Sequence, residues 1–293
     1  MKNSILTGFV LSMLLMIPSM ASASVSSNQQ DIATAADTAD TSGSHSLFAG
    51  TGLGSNMTYL GSTISGENPY GYASLTYGFK NELYLSLTGV HLTEFNPFVA
   101  FYTASLNYSH VFNSWFDISA GIHRYNVASA LADTLFGSFT YADLTLGFDW
   151  KILYTKISAG GLISDQTTAY FQIRNSRYFE TPQFSRDRFS FSFDPYANVL
   201  FGTLTTMETT QGTGVPVTRP FRRWNTDGLS GGSTTYSQKL GIMELDLGLP
   251  VAFNTNRMTI EAEAGYIIPF NYESGYQIPK GFVFLISAFF RIF

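Results

Sequence analysis

The chain has 293 residues, of which 45% are hydrophobic and 13% are charged, and its formal net charge is −5. Soluble domains carry roughly 25% charged residues, so this chain is poor in charge, and its mild acidity argues against a nucleic-acid partner, which requires a basic patch. Cysteine is absent, which excludes disulfides, a thiol nucleophile and cysteine-ligated metals.

The first residues have the features of an export signal. Lys2 supplies a positive end, residues 5–20 form an interrupted apolar run, and Ala21 and Ala23 form a small-x-small cleavage site. The apolar run is shorter than the roughly 20 residues that a membrane-spanning helix needs. The pattern predicts a signal peptide over residues 1–23 that is cleaved after Ala23.

A polar leader and one domain follow this signal. Residues 24–46 are small and polar and include no aromatic residue, so they have no apolar face to bury and are predicted to be flexible. The composition changes at Leu47 and does not change back, which predicts one domain over residues 47–293.

Apolar and polar residues alternate through this domain with a period of two, which predicts β-strands. The segment NELYLSLTG (81–89) places three leucines on one face and Tyr, Ser and Thr on the other. MELDLGLPVAF (243–253) and TIEAEAGYI (259–267) repeat the pattern, with their acidic residues on the polar face. Each strand therefore has one apolar face and one polar face.

Two architectures share this alternation, a soluble β-sandwich and a membrane barrel whose apolar face meets lipid. The predicted strands are roughly 10–16 residues long, whereas sandwich strands average about 5 or 6. The polar face is rich in Gly, Ser, Thr and Tyr and poor in Lys, unlike a sheet that faces water. Short and long connectors also alternate. We therefore predict an all-β fold, a transmembrane antiparallel β-barrel with up-and-down topology.

The predicted barrel has twelve strands, and the even count places both ends of the domain on the periplasmic side. The segment 165–187 is the least defined, because it fits either a hairpin or one long outer loop, so counts of ten and fourteen remain alternatives. The predicted strands cover residues 47–60, 70–80, 81–92, 98–112, 115–126, 138–150, 152–164, 168–181, 188–207, 238–253, 258–271 and 281–293.

The last run, GFVFLISAFFRIF (281–293), ends the chain on an aromatic residue. Together with the leader, the alternation and the aromatic enrichment, it resembles the outer-membrane β-barrel proteins of Gram-negative bacteria. The resemblance implies a location in the cell outer membrane, contact with its lipid and lipopolysaccharide, and recognition of the Phe293 strand by the barrel-assembly machinery. Arg291 departs from the class, which has a hydrophobic residue third from the end. Either Phe282 and its alternate residues face lipid, or the strand bulges near its end.

Several charged residues fall on the predicted lumen face. If they line a pore, their acidic excess gives a mild cation preference; the alternative is that the charges neutralise one another inside a filled barrel. A two-residue turn at Thr255 predicts Glu261 opposite Pro250, and one at Trp150 predicts Lys156 diagonal to Asp143. The predicted pore-lining residues are Asp117, Asp143, Lys156, Glu244, Asp246, Glu261 and Glu263.

Whether the chain can form a catalytic His–Asp pair depends on the length of one turn, which sets the register of the strands that it joins. A two-residue turn at Asn113 would place His110 opposite Asp117, the start of a His–Asp pair. A three-residue turn slips the register by one and separates them, and the polarity pattern favours this slip, with His110 beside Tyr108 at a membrane rim. No known catalytic motif is present, and the histidines are dispersed. We predict no enzyme, no metal site and no cofactor.

The long connector over residues 208–237 is the last candidate site. Its outer-loop residues are Arg219, Arg222, Arg223 and Trp224. The arginines would bind lipopolysaccharide phosphates, constrict the lumen, or remain solvated. Arg174 and Arg177 raise the same alternatives.

Three functions are compatible with these features. They are a passive pore or small-molecule transporter, which is slightly favoured, a structural or surface-interaction barrel with a plugged lumen, and a membrane-embedded lipid hydrolase. A trimeric porin usually needs more strands, so a monomer is expected.

Overall fold

The structure is a computed structural model that describes residues 45–131, 137–163, 168–184, 189–209, 214–216, 234–270 and 280–293. Side chains are described in these ranges except at 204–209, 214–216 and 234–239. The predicted signal peptide with its cleavage after Ala23, nearly all of the polar leader, and the connector residues Arg219, Arg222, Arg223 and Trp224 lie outside the described residues.

Most of the described chain is extended. Residues Ser129–Leu131 form a short 3₁₀ helix, and within the described ranges no helix has the length and apolarity to cross a membrane. The strands are β1 (His45–Gly54), β2 (Thr58–Tyr59), β3 (Ser62–Thr63), β4 (Tyr70–Phe79), β5 (Leu83–Leu92), β6 (Phe101–Asn113), β7 (Phe116–Val127), β8 (Phe139–Asp149), β9 (Tyr154–Ile163), β10 (Thr168–Ser176), β11 (Phe179–Glu180), β12 (Phe189–Phe193), β13 (Tyr196–Thr209), β14 (Gly214–Pro216), β15 (Thr234–Thr255), β16 (Met258–Pro269) and β17 (Gly281–Arg291).

Twelve of these strands form a closed antiparallel barrel. Neighbours follow chain order from β1 through β4–β10 to β13, β15, β16 and β17, and β17 pairs with β1 to close the sheet. We call the end that carries His45 and Phe293 the base, and the opposite end the mouth. The all-β, up-and-down barrel and the count of twelve strands are confirmed.

The ambiguous segment around 165–187 belongs to the barrel wall. β10 pairs with β9 on one side and with β13 on the other. At the base, β12 continues the line of β13 and pairs with β15, while β11 pairs with β12. Its described residues therefore supply the wall strand β10 and the short strand β11, so the segment is not one long outer loop.

The barrel has its apolar side chains outside and its polar side chains inside. On β5, Leu85 and Leu87 are 56% and 55% exposed, whereas Ser86 between them is 2% exposed. On β17 the outward face is Phe282, Phe284, Ile286, Ala288 and Phe290, without a bulge, and Arg291 lies on the opposite face. A soluble sandwich would show the reverse, so the outward face is suited to lipid.

Aromatic rings form a belt at the base. Between β6 and the turn after β8, each ring contacts the next, with centroids 4.9–6.5 Å apart. Girdles of aromatic residues in membrane barrels sit at the boundary between lipid and water. The rings in this series are Tyr108, His110, Phe112, Phe116, Phe148 and Trp150.

We expect the energetic cost of an outward charge to depend on its depth in the membrane. Leu87→Arg, in the middle of β5, should lower the free energy of unfolding by about 2–4 kcal/mol, and Leu83→Arg, at the base of the same face, by about 0–1 kcal/mol. Urea unfolding of the barrel in lipid vesicles measures both values. Equal costs at the two positions would show that this face does not lie in lipid.

Candidate functional site

Tyrosine rings that lie over glycines of a neighbouring strand fill much of the lumen. Tyr196 pairs with Gly248, and Tyr70 pairs with Gly54. A Cβ added at either glycine would lie 2.3 Å from the facing ring. Glycine therefore makes room for rings that point into the barrel. The same pairing recurs at Gly52–Tyr72, Gly78–Tyr84 and Gly202–Tyr170.

The chain between β1 and β4 forms an inner hairpin, residues 56–68, built on the short strands β2 and β3. Leu60 and Gly61 have φ values of 47° and 77°, as a type I′ hairpin turn requires. The Asn56 Oδ1 atom accepts hydrogen bonds from the hydroxyls of Thr63 at 2.8 Å and Ser65 at 3.1 Å. The hairpin is thus held together by its own polar side chains.

This inner hairpin crosses the lumen in the mouth half of the barrel. On one side the Tyr59 ring lies 5.6 Å from the Tyr125 ring and 6.0 Å from the Phe139 ring. On the other, a Cβ added at Gly61 would lie 2.9 Å from Met243 Cε. The apolar residues of the hairpin are nearly inaccessible to solvent; they are Met57, Tyr59, Leu60 and Ile64. The hairpin therefore plugs the lumen.

A β-bulge on β15 brings Met243 into contact with the inner hairpin. The register between β13 and β15 shifts at Leu200 and Phe201, so that Leu200 pairs with Glu244 and Phe201 with Ile242. Met243 falls between these pairs and packs inward against the core around the hairpin. Strict alternation along MELDLGLPVAF predicts that Met243 lies on the lipid-facing side of β15. This prediction was wrong.

The charged residues predicted for the lumen all lie on the inward face. The acidic members are at most 9% exposed, and Lys156 is half-buried. Their role as lining of a solute path stays a prediction. These residues are Asp117, Asp143, Lys156, Glu244, Asp246, Glu261 and Glu263.

The predicted pairing between β15 and β16 was wrong by two residues. Glu261 pairs with Ala252 instead of Pro250. The turn is centred one residue later than predicted, at Asn256 and Arg257, where the Thr255 hydroxyl accepts hydrogen bonds from the backbone N–H groups of Arg257 and Met258. A slip of two keeps each side chain on its face, so the acidic residues still point inward.

The predicted pairing between β8 and β9 was wrong in the same way. Lys156 pairs with Gly147 instead of Thr145 and is not beside Asp143. The turn is centred one residue later than predicted: Trp150 N–H donates to Leu153 O at 2.9 Å, so Lys151 and Ile152 lie at its tip. The change moves Lys156 toward Asp117.

Opposite charges follow one row around part of the barrel. Among its members, Asp117 accepts a hydrogen bond from the Tyr154 hydroxyl at 2.7 Å, and Lys156 lies in electrostatic range of Asp117 and Asp194. This arrangement supports the interpretation that lumen charges neutralise one another on this side. Direct register partners on six neighbouring strands form the row: Asp246, Asn198, Arg174, Lys156, Gly147 and Asp117.

Neither Arg174 nor Arg177 lies in an outer loop. Arg174 is 5% exposed in the lumen, with its guanidinium carbon 3.7 Å from the centroid of the Tyr196 ring. Arg177 lies at the base and donates to the backbone oxygen of Lys151. The alternation around NSRYF was too short to place them from sequence.

The four carboxylates of β15 and β16 form what we call the acid wall, Glu244, Asp246, Glu261 and Glu263. All are at most 3% exposed. The Tyr196 hydroxyl donates to Glu263 Oε1 at 2.6 Å, and Asn198 Nδ2 donates to Asp246 Oδ2 at 2.8 Å. The sequence predicted correctly that the acidic residues point inward, but it did not identify Tyr196 and Asn198 as their hydrogen-bond donors. The alternation along β13 indicates only that these two side chains also point inward.

A His–Asp pair is present, but it is not the one considered from sequence. His110 pairs with Ile118 and Asp117 with Val111, so the one-residue slip is confirmed. His110 lies outward in the belt, 2.9 Å from Glu82 Oε1.

The inward pair is His123 and Asp143, with Nε2 and Oδ1 3.1 Å apart. A Cβ added at Gly121 would lie 2.4 Å from His123 Nε2, 2.7 Å from Asn107 Oδ1 and 2.9 Å from Asp143 Oδ1. These polar groups therefore converge over a glycine. The Tyr59 ring of the plug lies against the neighbouring Tyr141 ring, with centroids 6.0 Å apart.

No protein-family model matches the chain, and no curated protein is similar in sequence. Solved structures with a similar outline include the NanC porin, with 10% identity and a TM-score of 0.44 over 83% of this chain and 98% of that one. The KdgM porin has 8% identity and a TM-score of 0.44 over 84% and 98%. LpxR from Salmonella typhimurium has 6% identity and a TM-score of 0.45 over 83% and 99%. Its own closed sheet, apolar outside and polar inside, makes this chain a twelve-stranded transmembrane β-barrel.

Proposed function

We propose that this protein is an outer-membrane barrel that is closed to solutes and acts as a structural or surface-interaction scaffold. The observation that carries the proposal is the burial of the lumen. Side chains that would line an open pore are instead covered, from Ser86 and Ser105 near mid-height to Tyr84 near the base. A water-filled channel exposes such groups. This proposal reverses the order of the two leading sequence-based hypotheses.

Two features support closure at different depths. The inner hairpin fills the mouth half, where Tyr59 is fully buried. Toward the base, Phe48 and Phe289 form an apolar contact inside the barrel. If either feature is removed, the other still closes part of the lumen.

A hairpin-gated pore is the second candidate. Some inward polar residues below the plug, such as Ser74, Thr88 and Gln172, are only half-buried. Space beside polar side chains would favour passage of a small solute once the hairpin moved. We propose no catalytic role for His123 and Asp143, because side chains 0% and 3% exposed offer a substrate no access.

The partners follow from the class that the sequence resembles. We propose a monomer whose outer face contacts membrane lipid and lipopolysaccharide, with Arg219, Arg222, Arg223 and Trp224 as the outer-loop contact. We also propose that the Phe293 strand is what the barrel-assembly machinery recognises. The apolar outward face of β17 supports this last point.

Single-channel recording in planar bilayers tests closure. The refolded protein should give no stepwise ion current above that of the bare bilayer, because no continuous water path crosses a filled lumen. Stepwise currents from the unmodified protein would refute the scaffold proposal and favour the pore.

A further inference from the structure

Arg124 is a charged residue on the lipid-facing side of the wall. It lies on β7 between Ile122 and Asn126, in outward phase, and its side chain is exposed. The basic residues Lys156 and Arg174 of β9 and β10 instead point into the lumen. A basic residue on the outward face is costly at the membrane midplane and nearly free of cost at the membrane boundary. The depth of Arg124 therefore decides what it can do.

Arg124 lies close to the boundary at the mouth. β7 begins in the base belt with Phe116, and Arg124 is eight residues further along the strand. At about 3.3 Å per residue and a strand tilt of about 40°, this is about 20 Å along the barrel axis, in an apolar band about 25 Å tall. The exposed ring of Tyr102, which pairs with Asn126, marks the same level. The guanidinium therefore lies where lipid headgroups begin.

The neighbouring side chains hold the guanidinium without neutralising it. Arg124 Nη1 donates to the Thr140 hydroxyl at 3.2 Å, and Nε donates to Asn126 Oδ1 at 3.4 Å. Both acceptors are neutral, and the ion pairs of the described residues do not include Arg124. A guanidinium has five N–H donors, so those on Nη2 stay available to an anion. Because the side chain is already oriented, binding loses less conformational entropy.

The surface beneath Arg124 is apolar. Ile122 and Leu106 are direct register partners, both exposed, and lie one step closer to the membrane midplane. Ala104, the register partner of Arg124, is small and leaves room beside the guanidinium. A ligand with an anionic group above and acyl chains below would meet both surfaces. A soluble anion would meet only the guanidinium.

We infer that Arg124 binds a phosphate of lipid A, the membrane-embedded part of lipopolysaccharide, on the outer rim of the barrel. Arginine binds phosphate through paired charge-assisted hydrogen bonds, and a phosphate monoester carries nearly two negative charges at pH 7. The acyl chains of the same molecule lie against Ile122 and Leu106. The inference rests on the proposed contact with lipopolysaccharide, for which it names a site on the wall itself. It does not depend on whether the lumen conducts.

Native mass spectrometry of the full-length barrel, refolded in detergent, tests the inference by counting bound lipid. The probes are lipid A with its phosphates and the same lipid after enzymatic removal of the phosphates. Arg124→Gln should lower the affinity for the phosphorylated lipid about tenfold, the factor that a hydrogen bond to a charged group typically contributes. Its affinity for the dephosphorylated lipid should not change. Arg124→Lys keeps the charge but not the planar fork, so it should lose less.

Lys80→Gln is the matched control. It removes one positive charge from an exposed residue at the base and should leave both affinities unchanged. The two lipids can also be compared on the unmodified barrel, which makes the test independent of variant folding. Equal affinity for both lipids there would overturn the inference.

Other outcomes separate this inference from the proposed function. If Arg124→Gln binds phosphorylated lipid A as tightly as the unmodified barrel, the site is wrong but the lipopolysaccharide contact stands. A barrel that binds neither lipid would overturn both. Phosphatidylglycerol that binds as tightly as lipid A, with the same dependence on Arg124, would overturn the assignment of the ligand.

Discussion

Replacing residues 56–68 with a short glycine–serine linker is expected to give a barrel that folds but unfolds at much lower urea concentration. The inner hairpin buries Met57, Tyr59, Leu60 and Ile64 against the mouth half of the wall. At about 1.5–3 kcal/mol for each large apolar side chain, with these values as upper bounds, the loss should be on the order of 5 kcal/mol. Urea unfolding in lipid vesicles measures it.

The same truncated barrel distinguishes the two leading functions. The scaffold proposal expects no ion current, because the tyrosines, the charged row and the Phe48–Phe289 contact still fill the lumen. Stepwise currents after truncation would establish a hairpin-gated pore instead. Glu67→Gln is the control, since Glu67 is an exposed residue of the same hairpin and its change should leave stability and conductance unchanged.

If the truncation disturbs assembly of the barrel, a single substitution tests the contact between the inner hairpin and the wall. Gly61→Val places a β-branched residue at a φ of 77° and a Cβ 2.9 Å from Met243 Cε. Left-handed backbone strongly disfavours such residues. A loss of stability in the same direction is expected, and an unfolding free energy equal to that of the unmodified protein would refute the seating of the hairpin.

Gly248→Val should be the most damaging single change in the wall below the plug. Its Cβ would lie 2.3 Å from the Tyr196 ring, so the ring must leave its place and its hydrogen bond to Glu263. Overpacking costs about 1–3 kcal/mol, and loss of a hydrogen bond to a buried carboxylate costs about 1–3 kcal/mol more. The expected total is about 4 kcal/mol, measured by urea unfolding.

Gly89→Val is the matched control for this prediction. Gly89 lies on the outward face of β5, and its added Cβ would meet Val99 Cγ1 at an ordinary 3.9 Å. It should fold with nearly unchanged stability. Equal losses at Gly89 and Gly248 would show that the cost reflects strand propensity and not the contact with Tyr196.

The identity of each strand could be predicted because alternation is a local property. Leu85 and Ser86 differ in polarity, and successive side chains of a strand point to opposite faces of the sheet. A sheet with one apolar face therefore places them on different faces. The one-residue slip between His110 and Asp117 was also predictable, since the wrong register would have turned the hydroxyls of β6 toward lipid.

Exact pairing could not be predicted in the same way. Each of the turns at Thr255 and Trp150 is centred one residue later in the chain than predicted. The hydrogen bond from Met258 N–H to the Thr255 hydroxyl stabilises one of them, and the bond from Trp150 N–H to Leu153 O stabilises the other. A slip of two preserves every face, so polarity carries no information about it. The partners of Lys156 and Glu261 were therefore wrong even though their orientation was right.

From the sequence alone came the class of fold, the number of strands and the side of the sheet on which each charge lies, since these depend on periodicity between neighbours in the chain. Only the tertiary structure decided that the lumen is filled. That outcome depends on contacts between residues far apart in sequence, such as Gly61 with Met243 and Tyr196 with Gly248. The sequence assigned residues 56–60 to the first strand and left 61–68 as a connector, whereas β1 ends at Gly54. The segment 56–68 enters the barrel because wall residues near the mouth offer its apolar side chains a surface to bury.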